Sequence, residues 1–289
     1  MSLFKSVALI GKYKSLEIAE PLLMLARYLA ERGVEVKLDT LTAEHIGHNN
    51  HAVASLEEIG ASCELAIVIG GDGTMLNIAR TFAPYDVALV GVNLGRLGFL
   101  TDLSTDTMIE SIGSILDGDF VTEARMLLES EVALDDEDGR KVLAFNDVCI
   151  NKGADGGLIE LEVHIDGRFV YNLRSDGLIV ASPTGSTAYA LSSGGPILHP
   201  SLNCIVLVPV SPHTLSNRPI VVGGESVIEI TMHTSVDARV HFDSHSHFDL
   251  GEGSRVVVQR CLHPIRLLHP PDHNYYHMLR EKLHWSETL

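Results

Sequence analysis

Apolar residues follow two alternating patterns over about the first 120 positions of the chain. Short continuous apolar runs are typical of buried strands, and longer segments with apolar residues at helical spacing are typical of amphipathic helices. The runs are SVALIG (6–11), VEVKLD (34–39), CELAIVIGG (63–71) and DVALVGVN (86–93), and the helical segments cover 15–33, a stretch beginning near Thr74, and about 105–116. Strands that alternate with helices predict a mostly parallel sheet covered on both faces.

Beyond about residue 120 the chain changes to short segments in which apolar and polar residues alternate. This period of two is typical of antiparallel strands, and Asp166-Gly167 between two such segments predicts a tight hairpin turn. The acidic stretch at 135–141 predicts a solvated hairpin tip, and 272–285 returns to helical spacing.

These patterns together predict an α/β plus all-β chain. We expect an N-terminal Rossmann-like parallel α/β domain, then an antiparallel β-sandwich domain, and a C-terminal helix that returns to the first domain. The expected boundaries are 1–120 for the α/β domain, 121–266 for the sandwich and 267–289 for the helical tail.

The balance of charge is acidic, with a formal net charge of -17. General nucleic-acid binders are basic, so nucleic acid is not an expected partner. No apolar run approaches the length of a membrane span and the N-terminus lacks the pattern of a signal peptide, so we expect no membrane association. The four cysteines form no CxxC pair, which argues against a zinc ribbon or disulfide scaffold and predicts a reducing, cytoplasmic location.

The stretch Gly70-Gly71-Asp72-Gly73-Thr74 follows a predicted buried strand and opens a predicted helix. Ligands bind beyond the carboxyl ends of parallel strands, and the first amides of a helix favour a phosphate. Glycines let that phosphate approach the backbone, although the pattern is neither a Walker loop nor the dinucleotide fingerprint. Asp72 has three open interpretations: a base for an attacking hydroxyl, a group that helps to hold a divalent cation, or a helix cap.

Two further stretches place polar groups between apolar runs. RSDGLIVASPTGSTAYALSSGGPI (174–197) is dense in hydroxyls and small residues, and Tyr189 suits stacking on a flat ligand or hydrogen bonding to it. Asn146 and Asp147 interrupt an apolar alternation and can together bond ribose hydroxyls and an amide. From the residues alone, a polar surface loop for the first stretch and a bulge or strand end for the second stay open.

Taken together, these stretches resemble the NAD kinases, and the bacterial branch of that family fits best. The resemblance rests on GGDGT at 70–74, NLGRLGFL at 93–100, the Asn146-Asp147 pair and SDGLIVASPTGSTAYALSSGGPI at 175–197, which occur in the family's order. GGDGT alone is shared with diacylglycerol and sphingosine kinases and with phosphofructokinases. SPTGSTAY together with the Asn-acid pair is much more specific.

The resemblance implies a kinase, a transferase that moves the terminal phosphoryl group of ATP, or of inorganic polyphosphate, to the 2′-hydroxyl of the adenosine ribose of NAD to give NADP. It implies that Asp72 accepts the proton of that hydroxyl. It also implies that Mg²⁺ or Mn²⁺ neutralises the triphosphate and is held largely by it and by water, and that the protein forms a homodimer or homotetramer.

The resemblance also assigns binding residues. They are Asp72, Gly73, Asn146, Asp147, Arg174, Asp176, Thr187, Ala188, Tyr189, Ala190, Leu191, Ser192 and His245. In this assignment Gly73 lies near phosphate, and Asn146 and Asp147 hold ribose hydroxyls. Asp176 contacts the nicotinamide end with Arg174 nearby, and the residues from Thr187 to Ser192 line the NAD pocket.

The chain departs from the family pattern at three places. Asn146-Asp147 stands where many members have Asn-Glu, so the acid has less reach. The segment NKGADGGLIE (151–160) lacks the histidine that some bacterial members carry near Gly157. His245 stands where the family often places a glutamine after Asp-Ser, and we expect it to be a ligand-pocket residue.

His245 belongs to an alternating set with His241, Asp243 and His247. On a strand, alternate residues share one face, so the set is either an exposed polar face or a metal site. Ligand spacing on a strand is easily met by chance, and the polar face is the favoured interpretation.

Two other functions fit parts of the sequence. A lipid kinase of the diacylglycerol type should carry a basic or amphipathic membrane-facing surface, and this acidic chain shows no obvious one. A protein that senses NAD or NADPH without catalysis should lack the carboxylate of GGDGT, yet Asp72 is present.

Overall fold

The computed structural model describes residues 2–12, 16–47, 50–95, 97–133, 139–153, 157–214, 216–234 and 236–285. Arg96, most of the predicted hairpin tip at 135–141 and the middle of the 151–160 segment lie outside these residues. The strands are β1 (Ser6–Gly11), β2 (Glu35–Asp39), β3 (Ala52–Ala54), β4 (Leu65–Ile69), β5 (Ala88–Asn93), β6 (Leu103–Ser104), β7 (Val121–Arg125), β8 (Leu128–Ala133), β9 (Arg140–Ala144), β10 (Asp147–Lys152), β11 (Ile159–Ile165), β12 (Arg168–Ser175), β13 (Gly177–Ala181), β14 (Cys204–Val210), β15 (Ile220–Gly223), β16 (Ile228–Met232), β17 (Ala238–Phe242), β18 (Ser246–Leu250), β19 (Arg255–Arg260) and β20 (Ile265–His269). The helices are α1 (Ala19–Glu31), α2 (Thr40–Ile46), α3 (Leu56–Ser62), α4 (Asp72–Phe82), α5 (Met108–Leu116), α6 (Tyr189–Ser192) and α7 (Tyr275–Leu283), and short 3₁₀ turns cover Leu16–Ile18 and Thr184–Thr187.

The chain divides into two compact units. Residues 1–124 and 265–289 form the first, and residues 125–264 form the second. The segment from residue 265 onward, which carries β20 and α7, therefore belongs to the first unit, as the predicted fold class expects.

The first unit is a Rossmann-like sheet flanked by helices. Its strand order is β3-β2-β1-β4-β5-β20-β7, with β6 beside β5, and the ladders from β3 to β5 are parallel. All five residues of β4 and all six of β5 are buried, because helices cover both faces of a parallel sheet. Burial on both faces explains why these strands are continuous apolar runs in the sequence. The predicted α/β architecture is confirmed.

The second unit is an antiparallel sandwich, as the sequence predicts. One sheet has the order β15-β14-β13-β10-β17-β18 and the other has the order β12-β11-β16-β19-β8-β9. Asp166 and Gly167 join β11 to β12 with φ of 53° and 71°, the positive values that a type I′ hairpin turn requires. The alternating residues of both sheets meet in one apolar cluster.

The structure also contains elements that the sequence patterns did not indicate. Between residues 40 and 62 it forms α2, β3 and α3. The helix expected to begin near Thr74 is present and begins two residues earlier, at Asp72. Among the described residues, no helix is both long enough and apolar enough to cross a membrane.

Candidate functional site

The carboxyl end of β4 leads directly into α4 through Gly70 and Gly71. Gly71 is the N-cap residue with an extended backbone, and Asp72 and Gly73 form the start of the helix. The first amides of a helix have no intrahelical acceptor, so they favour an anion. A Cβ added at Gly71 or Gly73 would meet no atom within 4 Å, so packing does not require glycine at either position. Open backbone at a helix N-terminus is what close approach of a phosphate needs.

Asp72 is not the cap of this helix, because the N-cap residue is Gly71 and Asp72 is already the first helical residue. Its carboxylate turns to the loop after β5 instead. Phe99 N–H donates to Oδ2 at 2.9 Å, Leu100 N–H donates to Oδ1 at 3.0 Å, and Thr101 Oγ1 lies 3.4 Å from Oδ1. The capping interpretation is therefore wrong, and this loop fixes the position of the Asp72 side chain.

Two glycines and a buried asparagine allow the loop to approach Asp72. A Cβ at Gly98 would overlap the Asp72 carboxylate and the Thr101 hydroxyl, and a Cβ at Gly91 would overlap the Leu100 carbonyl. Asn93, at the end of β5, is 4% exposed. Its Nδ2 donates to the Leu103 carbonyl at 2.8 Å and to the Thr101 carbonyl at 3.3 Å.

In the second unit, Asp147 is a buried carboxyl group at the start of β10. It is 5% exposed. Burial and, to a smaller extent, repulsion from Asp243 raise the pKa of Asp147 to about 7. A carboxyl that is half-ionised near neutral pH is uncommon and occurs preferentially at functional sites.

Asp243 holds the backbone around this carboxyl. Its carboxylate accepts hydrogen bonds from the N–H groups of Phe145 at 2.8 Å, Asn146 at 2.7 Å and Asp147 at 3.1 Å. In return, Asp243 N–H donates to the Asp147 carbonyl at 3.0 Å. The Asn-Asp pair is thus a rigid feature at the end of a strand.

The SPTGST segment packs directly against this pair. Ser182 donates from its N–H to the Asn146 carbonyl at 2.9 Å and from its hydroxyl to the Phe145 carbonyl at 2.6 Å. A Cβ at Gly185 would overlap the Asn146 backbone, so only glycine permits this approach. Asp147 also pairs with Ala181 of β13 in the ladder. Two stretches that lie about 35 residues apart in the sequence therefore form one surface.

Tyr189 lies beside this surface and is 43% exposed. Burial raises the pKa of Tyr189, and Cys149, Asp147 and Asp176 add to the effect through their charges. Tyr189 is thus within electrostatic range of both acids. Asp176 forms an ion pair with Lys152 at 2.6 Å.

The other predicted binding residues differ in exposure. Thr187, Ala188 and Leu191 are half-buried and Ser192 is exposed. Ala190 is fully buried in an apolar cluster, so its side chain faces the protein and a ligand could meet only its backbone.

The structure does not bring the Arg174 side chain to the surface formed by Asn146, Asp147 and the SPTGST segment. It is 63% exposed, and its guanidinium lies 3.9 Å from the Glu160 carboxylate. Arg174 and Glu160 are ladder partners on β12 and β11, in the other sheet of the sandwich.

The alternating histidine set does not share a strand face, so that expectation is wrong. β17 ends at Phe242, and Asp243 and Ser244 turn the chain with φ of 48° and 56°. His245 is exposed in this turn. The turn arises because the Asp243 side chain is bound to backbone amides and leaves the strand.

His241 and His247 instead face each other across the hairpin, with ring centroids 5.4 Å apart. Burial, followed by the charges of His247 and Arg239, lowers the pKa of His241. Among the described residues, this pair does not belong to any group of three or more converging metal-ligand side chains.

Sequence reasoning missed the residues that hold the site in place. Asp243 was seen only as a member of the histidine set, and Asn93 only as part of the NLGRLGFL motif. A signal was present for each. Asn93 is a polar residue at the end of an apolar strand, and Asp243-Ser244 is a pair that favours turns.

Comparison with known families covers most of the chain. The model of the ATP-NAD kinase N-terminal domain matches residues 7–120, and the model of the ATP-NAD kinase C-terminal domain matches residues 145–269. The NAD kinase of Nitrosomonas eutropha is 62% identical over 288 residues, which is 100% of this chain and 97% of that protein. The NAD kinase of Nitrosomonas europaea is 60% identical over 288 residues, again 100% of this chain and 97% of that protein.

Solved structures agree. The crystal structure of yeast NADH kinase complexed with NADH superposes with a TM-score of 0.91 at 25% identity, covering 99% of this chain and 89% of that chain. The crystal structure of an NAD kinase from Archaeoglobus fulgidus in complex with ATP gives a TM-score of 0.74 at 25% identity, covering 96% of this chain and 98% of that chain. The chain therefore belongs to the NAD kinase family and is a kinase.

Proposed function

We propose that this kinase transfers the terminal phosphoryl group of ATP to the 2′-hydroxyl of the adenosine ribose of NAD, with Asp72 as the general base. The observation that carries the proposal is the Asp72 carboxylate, which lies at the N-terminus of α4 beside open glycines and is not used as a cap. Phosphoryl transfer depends on positioning and charge stabilisation, and this geometry supports both.

Asp72 keeps capacity for a substrate. A carboxylate offers about four lone-pair sites, and the loop occupies three of them through Phe99, Leu100 and Thr101. The remaining site suits the hydroxyl that attacks the phosphoryl group. Because the loop amides already fix the side chain, little reorganisation is needed when the hydroxyl arrives.

NAD binding falls to the second unit in this proposal. Asn146 and Asp147 hold ribose hydroxyls in this proposal. The Asp243 carboxylate fixes their backbone, so their own side chains are not needed to hold the strand end in place. Asp176 contacts the nicotinamide end in this proposal, and Tyr189, which is 43% exposed, contributes a ring contact in the NAD pocket. The solved yeast relative is a complex with NADH, which supports a dinucleotide acceptor.

The proposed donor is ATP, with inorganic polyphosphate as a second donor to be tested. The solved Archaeoglobus relative is a complex with ATP, and the open amides of α4 suit a phosphate chain. Mg²⁺ or Mn²⁺ would be held chiefly by the triphosphate and water, because the Asp72 oxygens are bound to the loop and Asp72 belongs to no converging group of ligand residues among those described. When it is bound to the triphosphate, the cation would neutralise part of the phosphate charge.

The proposed location is the cytoplasm and the proposed assembly is a homodimer or homotetramer. All four cysteines are free thiols, three of them buried, which suits a reducing compartment. Light scattering coupled to size-exclusion chromatography reads the mass directly, and a monomer at assay concentration would contradict the proposed assembly.

A product assay tests the reaction. Purified protein is incubated with NAD, Mg²⁺ and either ATP or polyphosphate, and NADP is detected with an NADP-specific dehydrogenase. We expect steady formation of NADP with ATP. NADP formed only with polyphosphate would overturn the donor assignment, and no NADP with either donor would overturn the proposed reaction.

A further inference from the structure

Asp102, His269 and His273 form a buried cluster in the first unit that the proposed function does not use. The Nδ1 atoms of His269 and His273 each lie 2.8 Å from Asp102 Oδ2. The three side chains are 9%, 2% and 12% exposed, in that order. Among the described residues, this is the one group of three or more metal-ligand side chains whose donor atoms lie within 4.8 Å of one another.

The cluster leaves one strong acceptor unsatisfied. Both imidazoles address the same carboxylate oxygen, while Asp102 Oδ1 is buried without a hydrogen-bond partner. A buried carboxylate oxygen without a partner is costly. Hydrogen bonds within the cluster leave this oxygen without a partner, whereas a cation bound by both oxygens of the carboxylate would satisfy it.

The two imidazole rings also point to a common ligand. They are stacked, with centroids 3.9 Å apart and planes 19° apart. Both rings direct their Nδ1 atoms at the same Asp102 oxygen, at 2.8 Å. Neutral imidazole is the form that binds metals, through either ring nitrogen.

Glu123 places a carboxylate beside the second ring nitrogen of His269, which has no hydrogen-bond partner among the described residues. Its Oε2 lies 3.3 Å from His269 Nε2, on the opposite side of the ring from Asp102. A metal-ligating histidine commonly donates its second N–H to a carboxylate, which fixes the tautomer and the ring orientation. His269 Nε2 faces the Glu123 carboxylate, and its Nδ1 faces Asp102 Oδ2 within the cluster.

A cavity beside the cluster provides space for a further ligand. Its volume is about 180 Å³, and Asp102 and His273 form part of its wall. Asp272, Asn274 and His277 also line it, so the cavity is polar on this side. The polar groups on this side of a cavity of this size can hold ordered water.

We propose that Asp102, His269 and His273 bind a divalent transition-metal cation of the zinc class, with water from the cavity completing the coordination. Two imidazole nitrogens and one carboxylate suit Zn²⁺ and its neighbours, whereas Mg²⁺ prefers oxygen ligands. Zinc bonds are about 2.0–2.2 Å long, and the donor atoms of the three side chains already lie within 4.8 Å of one another.

The site adjoins the loop that holds Asp72. Asp102 follows Thr101, whose hydroxyl lies 3.4 Å from Asp72 Oδ1 and whose carbonyl accepts from Gly98 N–H at 3.0 Å. A cation at Asp102 therefore joins the C-terminal segment, which carries His269 and His273, to this loop. The expected role is structural, and it does not depend on the proposed reaction.

Metal titration tests the proposal directly. The full-length protein is treated with a chelator, dialysed, and titrated with Zn²⁺ by calorimetry, and in parallel with Co²⁺ followed by visible absorption. We expect one equivalent of Zn²⁺ to bind, and Co²⁺ to give the visible bands of a site with nitrogen ligands and low symmetry. Excess Zn²⁺ should also raise the melting temperature, because it binds only the folded state.

His273→Asn is the informative variant because His273 lies at the cavity wall and is the most exposed of the three. We expect its Zn²⁺ affinity to fall by about 100-fold or more, since even the loss of a supporting partner costs 10–100-fold. His263→Asn, at an exposed histidine outside any such group, should bind like the wild type.

Equal Zn²⁺ affinity in the wild type and a folded His273→Asn would overturn the proposal. If His273→Asn fails to fold, the Co²⁺ spectrum of the wild-type protein alone decides whether the cluster binds a metal. Bands of hexaaqua Co²⁺ only would show that the cluster is a hydrogen-bonded ion network without a metal.

Discussion

Asp147 is a buried carboxyl group at the start of β10, within the electrostatic influence of Asp243. Burial and the charge of Asp243 raise its pKa from 3.8 to about 7. The folded state therefore holds this proton more tightly than the unfolded chain. The resulting stability is fully present below about pH 4 and is lost as the pH rises through about 7, with an upper limit of about 4 kcal/mol for three pH units.

Asp147→Asn should separate this effect from the rest of the protein. The variant removes the ionisation but keeps the shape, so it should be more stable than the wild type at pH 8 and lose that advantage toward pH 4. Urea unfolding at both pH values measures the difference, and NAD affinity should fall in the same variant. Asp249→Asn, at an exposed carboxylate, is the control. A stability difference that does not change with pH would contradict the raised pKa.

Gly73 is the second residue whose role can be isolated. Its Cβ position is open and its φ is ordinary, so alanine should fit and stabilise the helix by about 0.5–1 kcal/mol. If phosphate approaches this backbone, Gly73→Ala should nevertheless raise the KM for ATP by about tenfold or more.

Steady-state kinetics and thermal melting check both parts of this prediction. Gly251→Ala is the matched control, because its Cβ position is equally open and it lies in the second unit. A Gly73→Ala enzyme with unchanged KM for ATP would speak against phosphate contact at this amide.

At the scale of elements, the loop between β5 and β6 positions the Asp72 carboxylate. Gly98→Ala would place a methyl group against the Asp72 carboxylate and the Thr101 hydroxyl. Overpacking of this kind costs about 1–3 kcal/mol, and displacement of the loop should lower kcat by about 100-fold. Gly95→Ala in the same loop meets open space and should leave both quantities unchanged.

Melting temperature and kcat for the two variants test the loop's role. Equal kcat in Gly98→Ala and Gly95→Ala would show that the loop does not set the position of Asp72. A loss of kcat in both would point to a general sensitivity of the loop to substitution.

The two short helices between residues 40 and 62 carry capping signals in the sequence, although their hydrophobic periodicity does not predict them. α3 begins with Ser55 and Glu58 in a capping box, a pattern that is readable in the sequence. α2 begins after Asp39, whose carboxylate accepts from Thr42 N–H at 3.2 Å. Both helices are only seven residues long, so hydrophobic periodicity is weak there and the caps were the better signal.

For the whole molecule, hydrophobic periodicity predicts both architectures. Strands that are buried on both faces are continuously apolar, whereas strands that are buried on one face alternate apolar and polar residues. Periodicity does not predict which strands meet. β20 lies between β5 and β7 although about 140 residues separate it from β7 in the chain. The contact between Asp102 and His269 spans 167 residues, so no local pattern announces the cluster.

The site follows the same division. The motifs around Asp72, Asn146 and Tyr189 are visible in the sequence, because their chemistry is local. Their supports are not, since the Asp72 carboxylate is held by Phe99 and Leu100 through backbone amides. Backbone amides of any residue can make these hydrogen bonds, so the sequence does not identify them. Only Gly98, which lets the loop approach Asp72, marks the contact in the sequence.

The measurement that tests the account most directly compares Asp72→Asn with Thr101→Val. Asp72→Asn removes the proposed base, whereas Thr101→Val removes only one of the groups that contact the same carboxylate. We predict that kcat falls by about 10²–10⁴-fold in Asp72→Asn and by less than about tenfold in Thr101→Val, with the Kd for NAD unchanged in both. A folded Asp72→Asn enzyme with a kcat close to that of the wild type would contradict the assignment of Asp72 as the base.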